Sequence, residues 1–172
     1  MEITAIVGTI VDCADEEWNL RILEKGLLVI DQNGVIVHRG DSRNLNEIKE
    51  KFSVTKVIEL EPKNEFLLPG FIDSHVHASQ YPNNGLGLDL PLLEWLQKYT
   101  FPMENRYGKD SDFAHKAYEA SIKSFLNHGT TTASHYATID SDSSLILAEI
   151  AEQYGKFDGS ERYLKSGQLI IG

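Results

Sequence analysis

The feature that most constrains this chain is the stretch 66–80, FLLPGFIDSHVHASQ. An apolar run carrying Pro69-Gly70 ends in a His-x-His pair, His75 and His77, and an acid, Asp73, lies two residues ahead of it. Side chains alternate along a strand, so residues i and i+2 share a face. Two imidazoles one pleat apart can reach one cation, and imidazole is the commonest metal ligand. A bare His-x-His also arises where a buried strand surfaces, so the pair alone leaves both readings open. Asp73 shares the face of the pair and reads as a residue that holds the strand end by hydrogen bonding.

The chain ahead of this stretch reads as strands. Residues 2–40 alternate apolar and polar positions, and Asn33-Gly34 between two β-branched runs predicts a hairpin of Leu27–Ile30 with Val35–His38, closed by a type I′ turn. His38 on the second strand reads as a surface residue. Residues 41–55 fit a short helix capped by Asp41 or Ser42, and residues 56–61 return to a strand.

Beyond the pair, the glycine- and asparagine-rich segment Asn83–Gly87 marks a loop. Pro91 opens a short helix, LLEWLQKY, with Trp95 and Tyr99 on its apolar face, and Pro102 is expected to end it. A longer helix over 112–127, capped by Ser111 or Asp112, turns Phe113, Ala117, Tyr118, Ile122, Phe125 and Leu126 inward and stops before Gly129. His115 on this helix reads as exposed, and His128 as a cation near its C-terminal dipole. Thr130–Ile139 reads as a β-branched strand. His135 within it is a weaker site candidate that could face inward. A third helix, 143–154, is expected to bury Leu145, Leu147, Ile150 and Ala151. Strand, helix, strand, helix is βα repetition, which implies a parallel sheet.

Charge and composition narrow the function classes. A formal net charge of -10 disfavours a phosphate-binding surface, so no nucleic acid is expected. No apolar run approaches the ~18 residues of a membrane span, and the acidic N-terminus makes a poor signal peptide, so the chain reads as cytoplasmic. The single cysteine, Cys13, excludes both a cysteine zinc cage and the His-x-Glu/Pro-Cys-x-x-Cys deaminase signature. No Walker loop, nucleophile elbow or dinucleotide fingerprint is present.

The stretch LLPGFIDSHVH resembles the first barrel strand of the amidohydrolase superfamily. HASQY (His77–Tyr81), DLPLLEWLQKYTFPMENRY (Asp89–Tyr107) and HGTTTASHYATIDSDSS (His128–Ser144) narrow that resemblance to the guanine deaminases within it. The resemblance implies an α/β fold: a partial (β/α)8, TIM-like barrel over 66–155, a β-sandwich segment over 1–65, and a divergent tail over 156–172. It implies His75 and His77 as ligands of one Zn2+ per subunit. It also implies substrate binding by His77, Ala78, Ser79 and Gln80, the Gln80 amide facing a small-molecule purine. The implied activity is hydrolytic deamination of guanine, with the acid–base group and further ligands on later strands and a homodimer as the complete form.

A whole (β/α)8 barrel takes about 250 residues, and about a hundred follow Phe66 here. The chain is therefore expected to be an incomplete form, poorly stable alone, with Gln168–Ile171 as a possible further strand. Two other readings stay open: a non-catalytic truncated isoform or fragment, and a deaminase of a related heterocycle such as a pterin.

Overall fold

β1 (Thr4–Cys13) is the strand on which the N-terminal part is built. In the computed structural model, which describes residues 2–13, 19–155, 163–165 and 168–171 (the last two stretches as backbone only), the chain forms two compact units, Met1–Pro69 and Gly70–Gly172. β1 pairs antiparallel with β2 (Leu20–Ile30), Thr4 opposite Ile30, and β2 pairs antiparallel with β3 (Ile36–Asp41). The other edge of β1 takes two parallel strands end to end: β4 (Lys56–Glu59) along Thr4–Val7 and β5 (Phe66–Leu67) along Thr9–Ile10. Gly8 sits at the break between them, where an added Cβ would come within 2.6 Å of the Leu60 Cβ. Side-chain-free backbone lets Leu60 close over the strand there.

The expected hairpin forms, but its turn is not type I′. Only Gly34 takes a positive φ, 83°, and Gly34 N–H donates to the Asp31 carbonyl at 3.0 Å. Asp31 Oδ1 also accepts from the backbone N–H of Asn33 and of Val35, at 2.8 and 2.9 Å. A carboxylate that satisfies two turn donors favours this wider loop closed by a left-handed glycine. The expected helix appears as a 3-10 turn, Ser42–Asn44, running into α1 (Leu45–Phe52), and Asp41 supplies the cap by accepting from Arg43 N–H at 2.8 Å. Ile48 of α1 packs on Ala5, Leu27 and Val29 of the sheet. His38 is half-buried rather than free on the surface, its ring 5.6 Å from that of Phe52. The described residues of this unit form one mixed sheet with a helix on it, a single layer where a sandwich would have two.

Phe66 and Leu67, expected to open the His-x-His strand, belong instead to this first sheet. Pro69 has no N–H to donate, which breaks the ladder. β6 (Phe71–Val76) starts afresh beyond Gly70 and ends one residue before His77. It pairs in parallel with β7 (Thr130–Tyr136), Phe71 opposite Thr130 and Val76 opposite His135, with an irregularity between Asp73 and Val76. The crossover between them is helical, as a parallel pair requires.

That crossover corrects one expectation. Pro102 does not end the helix begun at Pro91. α2 (Leu92–Trp95) passes through a π-helical turn, Leu96–Thr100, into α3 (Phe101–Tyr107), with Pro102 in the first turn of α3. The wider turn, with Phe101 N–H donating to the Leu96 carbonyl, makes room for a residue that cannot donate. Leu92 and Leu93 are exposed, and Trp95 and Tyr99 are half-buried against the preceding loop. The Trp95 indole N–H donates to the Leu86 carbonyl at 2.7 Å, and Gly87, at φ 66°, lies so close under both rings that a Cβ would collide with Tyr99.

α4 (Ser111–Asn127) is capped one residue earlier than expected: Asp110 Oδ1 accepts from Phe113 N–H at 3.0 Å. Leu126, expected inward, is exposed, while Ala114, Ala117, Tyr118 and Ile122 are buried. α5 (Ser141–Gly155) buries Leu147, Ala148, Ile150 and Ala151 against α4. Leu145 lies outside that face because positions two apart on a helix diverge by about 200°. The backbone of β9 (Gln168–Ile171) runs antiparallel to β7 and carries β8 (Tyr163–Lys165) on its far edge, so the sheet order is β6-β7-β9-β8. A successive βα strand would be parallel; this one is not. The remaining positions of the 156–172 tail lie outside the described residues. Among the described residues no helix is long and apolar enough to cross a membrane.

Candidate functional site

His75 and His77 flank the C-terminal end of β6, and their side chains converge. The two Nε2 atoms lie 3.2 Å apart. Two nitrogens bound to one tetrahedral zinc at the usual ~2.05 Å stand ~3.3 Å from each other, so the pair fits a shared metal ion. Asp73 supports the strand end as expected, its Oδ1 accepting from the His75 backbone N–H at 3.0 Å. Among the described residues no three His, Cys, Asp or Glu converge on one point, so the pair is short of the three protein ligands usual at catalytic zinc.

One ring covers both imidazoles. Tyr136, the last residue of β7, has its ring centroid 4.2 Å from that of His75 and 5.1 Å from that of His77, nearly parallel to the latter at 23°. Sequence periodicity places Tyr136 on a strand face; contact with residues on another strand depends on the register of β6 against β7, which periodicity does not supply.

A cleft of about 910 Å3 opens beside His77. Gln80 lines it with His77 and Tyr136, and Thr100, Phe101 and Glu104 form the wall from the π turn and α3. Leu145 and Ile139 border it from the α5 side, which accounts for the exposure of Leu145. Ala78 and Ser79, between the two cleft residues, are wholly buried: Ala78 in the core with Tyr107 and Tyr118, Ser79 with its hydroxyl donating to Glu104 Oε1 at 3.1 Å. Desolvation, then the neighbouring His75, holds the His77 imidazole below its ordinary pKa, and the Glu104 carboxylate pulls the other way.

His135, read as able to face inward, is buried on the side of β7 opposite Tyr136, its ring 5.8 Å from Phe125 of α4. Burial pushes its pKa down to about 4, with the negative Asp73 opposing. The structure thus brings together His75, His77 and Gln80 and leaves His135 in the helix layer. His115 on α4 and His128 at its C-cap are exposed, each with Nδ1 at a backbone carbonyl one turn back, and neither lines the cleft. Glu104 and Tyr136 are among the cleft residues that motif reading passes over. Glu104 lies in PMENRY and Tyr136 in TASHYAT, both inside stretches whose resemblance was legible.

The amidohydrolase family pattern matches residues 66–161, more than half of the chain and the segment that carries this pair. The chain belongs to the amidohydrolase family. The His-x-His strand here leads a βα sequence, and membership of the family implies a partial TIM-barrel-like α/β fold. Among curated proteins, guanine deaminase of Dictyostelium discoideum is 41% identical over 160 residues, covering 87% of this chain and 35% of its own length. Guanine deaminase of Homo sapiens is 41% identical over 139 residues, 80% of this chain and 30% of its own. The crystal structure of guanine deaminase from C. acetobutylicum with bound guanine superposes with a TM-score of 0.72 at 28% identity, covering 90% of this chain and 34% of that one. This amidohydrolase chain spans about a third of the length of the curated relatives it matches.

Proposed function

We propose that this chain is the N-terminal portion of a guanine deaminase, which converts guanine and water to xanthine and ammonia. The observation that carries the reading is the converging Nε2 pair of His75 and His77, the second of which lines a cleft together with Gln80. The similarity to guanine deaminases, 41% identity over most of this chain, supports it.

In this reading His75 and His77 hold one zinc ion per subunit as neutral rings, each offering the Nε2 lone pair. A zinc ion held there would supply the acidification of water that a hydrolysis near neutral pH needs. Gln80 offers a donor and an acceptor to the purine edge, which fixes which carbon faces the metal side. The residues His77–Gln80 form the substrate-binding turn, with Ala78 and Ser79 anchoring it in the core and His77 and Gln80 facing the ligand. The group that passes the proton to leaving ammonia belongs to later strands, as do the remaining ligands. We place the complete enzyme in the cytoplasm as a homodimer, its N-terminal sheet forming one layer of a β-sandwich.

The pair of ligands found among the described residues favours a second reading for this chain by itself, that of a catalytically empty piece. One assay separates the cases. Ammonia release from guanine is measured for the zinc-supplied 172-residue chain and for a version extended to the relatives' length. The extended chain is expected to turn over guanine and to stop in His75→Ala, while the short chain releases none. An extended chain that ignores guanine and deaminates a pterin would replace the substrate assignment. Release by the short chain would overturn the empty-piece reading.

A further inference from the structure

We propose that Tyr136 is a positioning residue for the metal-ligand pair: its ring holds both imidazoles in the orientation in which their Nε2 atoms face one point. This deepens the reading of His75 and His77 as ligands and rests on it. The backbone of β6 fixes neither imidazole ring. His75 is exposed and lies at the end of an edge strand, and His77 lies beyond the last residue of β6, at φ -114° and ψ 83°. Asp73 fixes the His75 backbone and leaves the ring free. The two rings contact each other at 3.2 Å and Tyr136 at centroid distances of 4.2 and 5.1 Å, with tilts of 36° and 23°. The His77 contact is a stacked one and the His75 contact a closer, tilted one.

Tyr136 is itself placed by the sheet. β7 alternates, so His135 points into the layer toward Phe125 and Tyr136 points to the cleft. The register gains one residue on β6 between the pairs Asp73–Ala133 and Val76–His135, so Val76 stands beside His135 and the chain that follows it runs alongside Tyr136. A side chain that must be immobilised to bind costs free energy, and a ring that immobilises two of them in advance removes that cost. Carbon contact alone suffices for this, so the ring is the working part of Tyr136.

The test uses Co(II) alone as probe, titrated into the metal-free chain extended to the relatives' length and followed by its visible absorption. Wild type is expected to take up Co(II) and His75→Ala to lose it. Tyr136→Leu is expected to weaken binding about tenfold, and Tyr136→Phe to stay within about twofold of wild type. Unchanged binding in Tyr136→Leu overturns the proposal and leaves the ligand assignment intact. A loss in Tyr136→Phe equal to that in Tyr136→Leu also overturns it. No uptake by wild type, or equal uptake by His75→Ala, overturns the ligand assignment and the proposal with it. A residue that only stabilised the fold would lower the melting temperature without moving the affinity of the folded protein. Should Tyr136→Leu not fold, wild-type NMR decides: nuclear Overhauser contacts from the Tyr136 ring to the Hε1 protons of both His75 and His77 support the proposal, and their absence overturns it.

Discussion

Ser79 donates its hydroxyl to Glu104 across 25 residues of sequence, at 3.1 Å. The bond ties the turn that carries His77 and Gln80 to the helix that forms the opposite wall of the cleft. Ser79 is wholly buried, so its hydroxyl has no water to fall back on once Glu104 is gone. Glu104→Ala should therefore destabilise the C-terminal unit by about 1–3 kcal/mol. Glu104→Gln keeps an acceptor for Ser79 and should recover most of that. Urea melts of the two variants check this, and equal losses would show that the charge, rather than the hydrogen bond, is what matters.

Gln80 lines the cleft beside His77 and offers both hydrogen-bonding senses. In the extended, active form, Gln80→Ala should raise KM for guanine about tenfold or more while zinc content stays at one per subunit. Steady-state kinetics with metal analysis checks this. Unchanged kinetics would remove Gln80 from the substrate site.

Gly129 adopts φ 88°, and its carbonyl accepts from Phe71 N–H at 2.8 Å, the bond that starts β6 beside β7. A side chain in left-handed backbone costs about 1–2 kcal/mol. Here the added Cβ would also stand 3.3 Å from the Phe71 ring. Gly129→Ala should lower stability by at least that amount and loosen the strand that carries His75. Denaturant unfolding measures the first, and amide exchange at Phe71 the second.

The two parts of the site were legible to different depths. His75, His77 and Gln80 could be read because strand alternation and a contiguous motif are local properties of the chain. Tyr136 and Glu104 could not, since each meets the motif through a geometry that local rules leave undetermined. For Tyr136 that geometry is an irregular parallel register; for Glu104 it is the phase of a helix reset by a π turn. The same π turn explains why Pro102 misled. Proline ends a helix when an i→i−4 bond is required of it, and the wider turn removes that requirement. The caps at Asp110 and in the Asp31 turn show the converse limit: several adjacent Asp, Asn and Ser could each have capped, and only packing chose among them.

His135 makes the stability of the C-terminal unit depend on pH in a stated direction. The ring is 1% exposed, and its pKa is pushed down from 6.5 to about 4 by burial, Asp73 partly opposing. The folded state therefore resists the proton that the unfolded state accepts. The full stability is present above pH 6.5 and is lost progressively as pH falls through about 4, by up to roughly 3 kcal/mol. Carboxylates add their own acid loss at the low end of that window, so the histidine is isolated by difference. Between pH 7 and 5 the unfolding free energy of wild type should fall more steeply than that of His135→Phe, whose aromatic ring can still pack on Phe125. Parallel slopes in urea titrations at the two pH values would show that His135 protonates as easily folded as unfolded, and would assign the acid sensitivity to other groups.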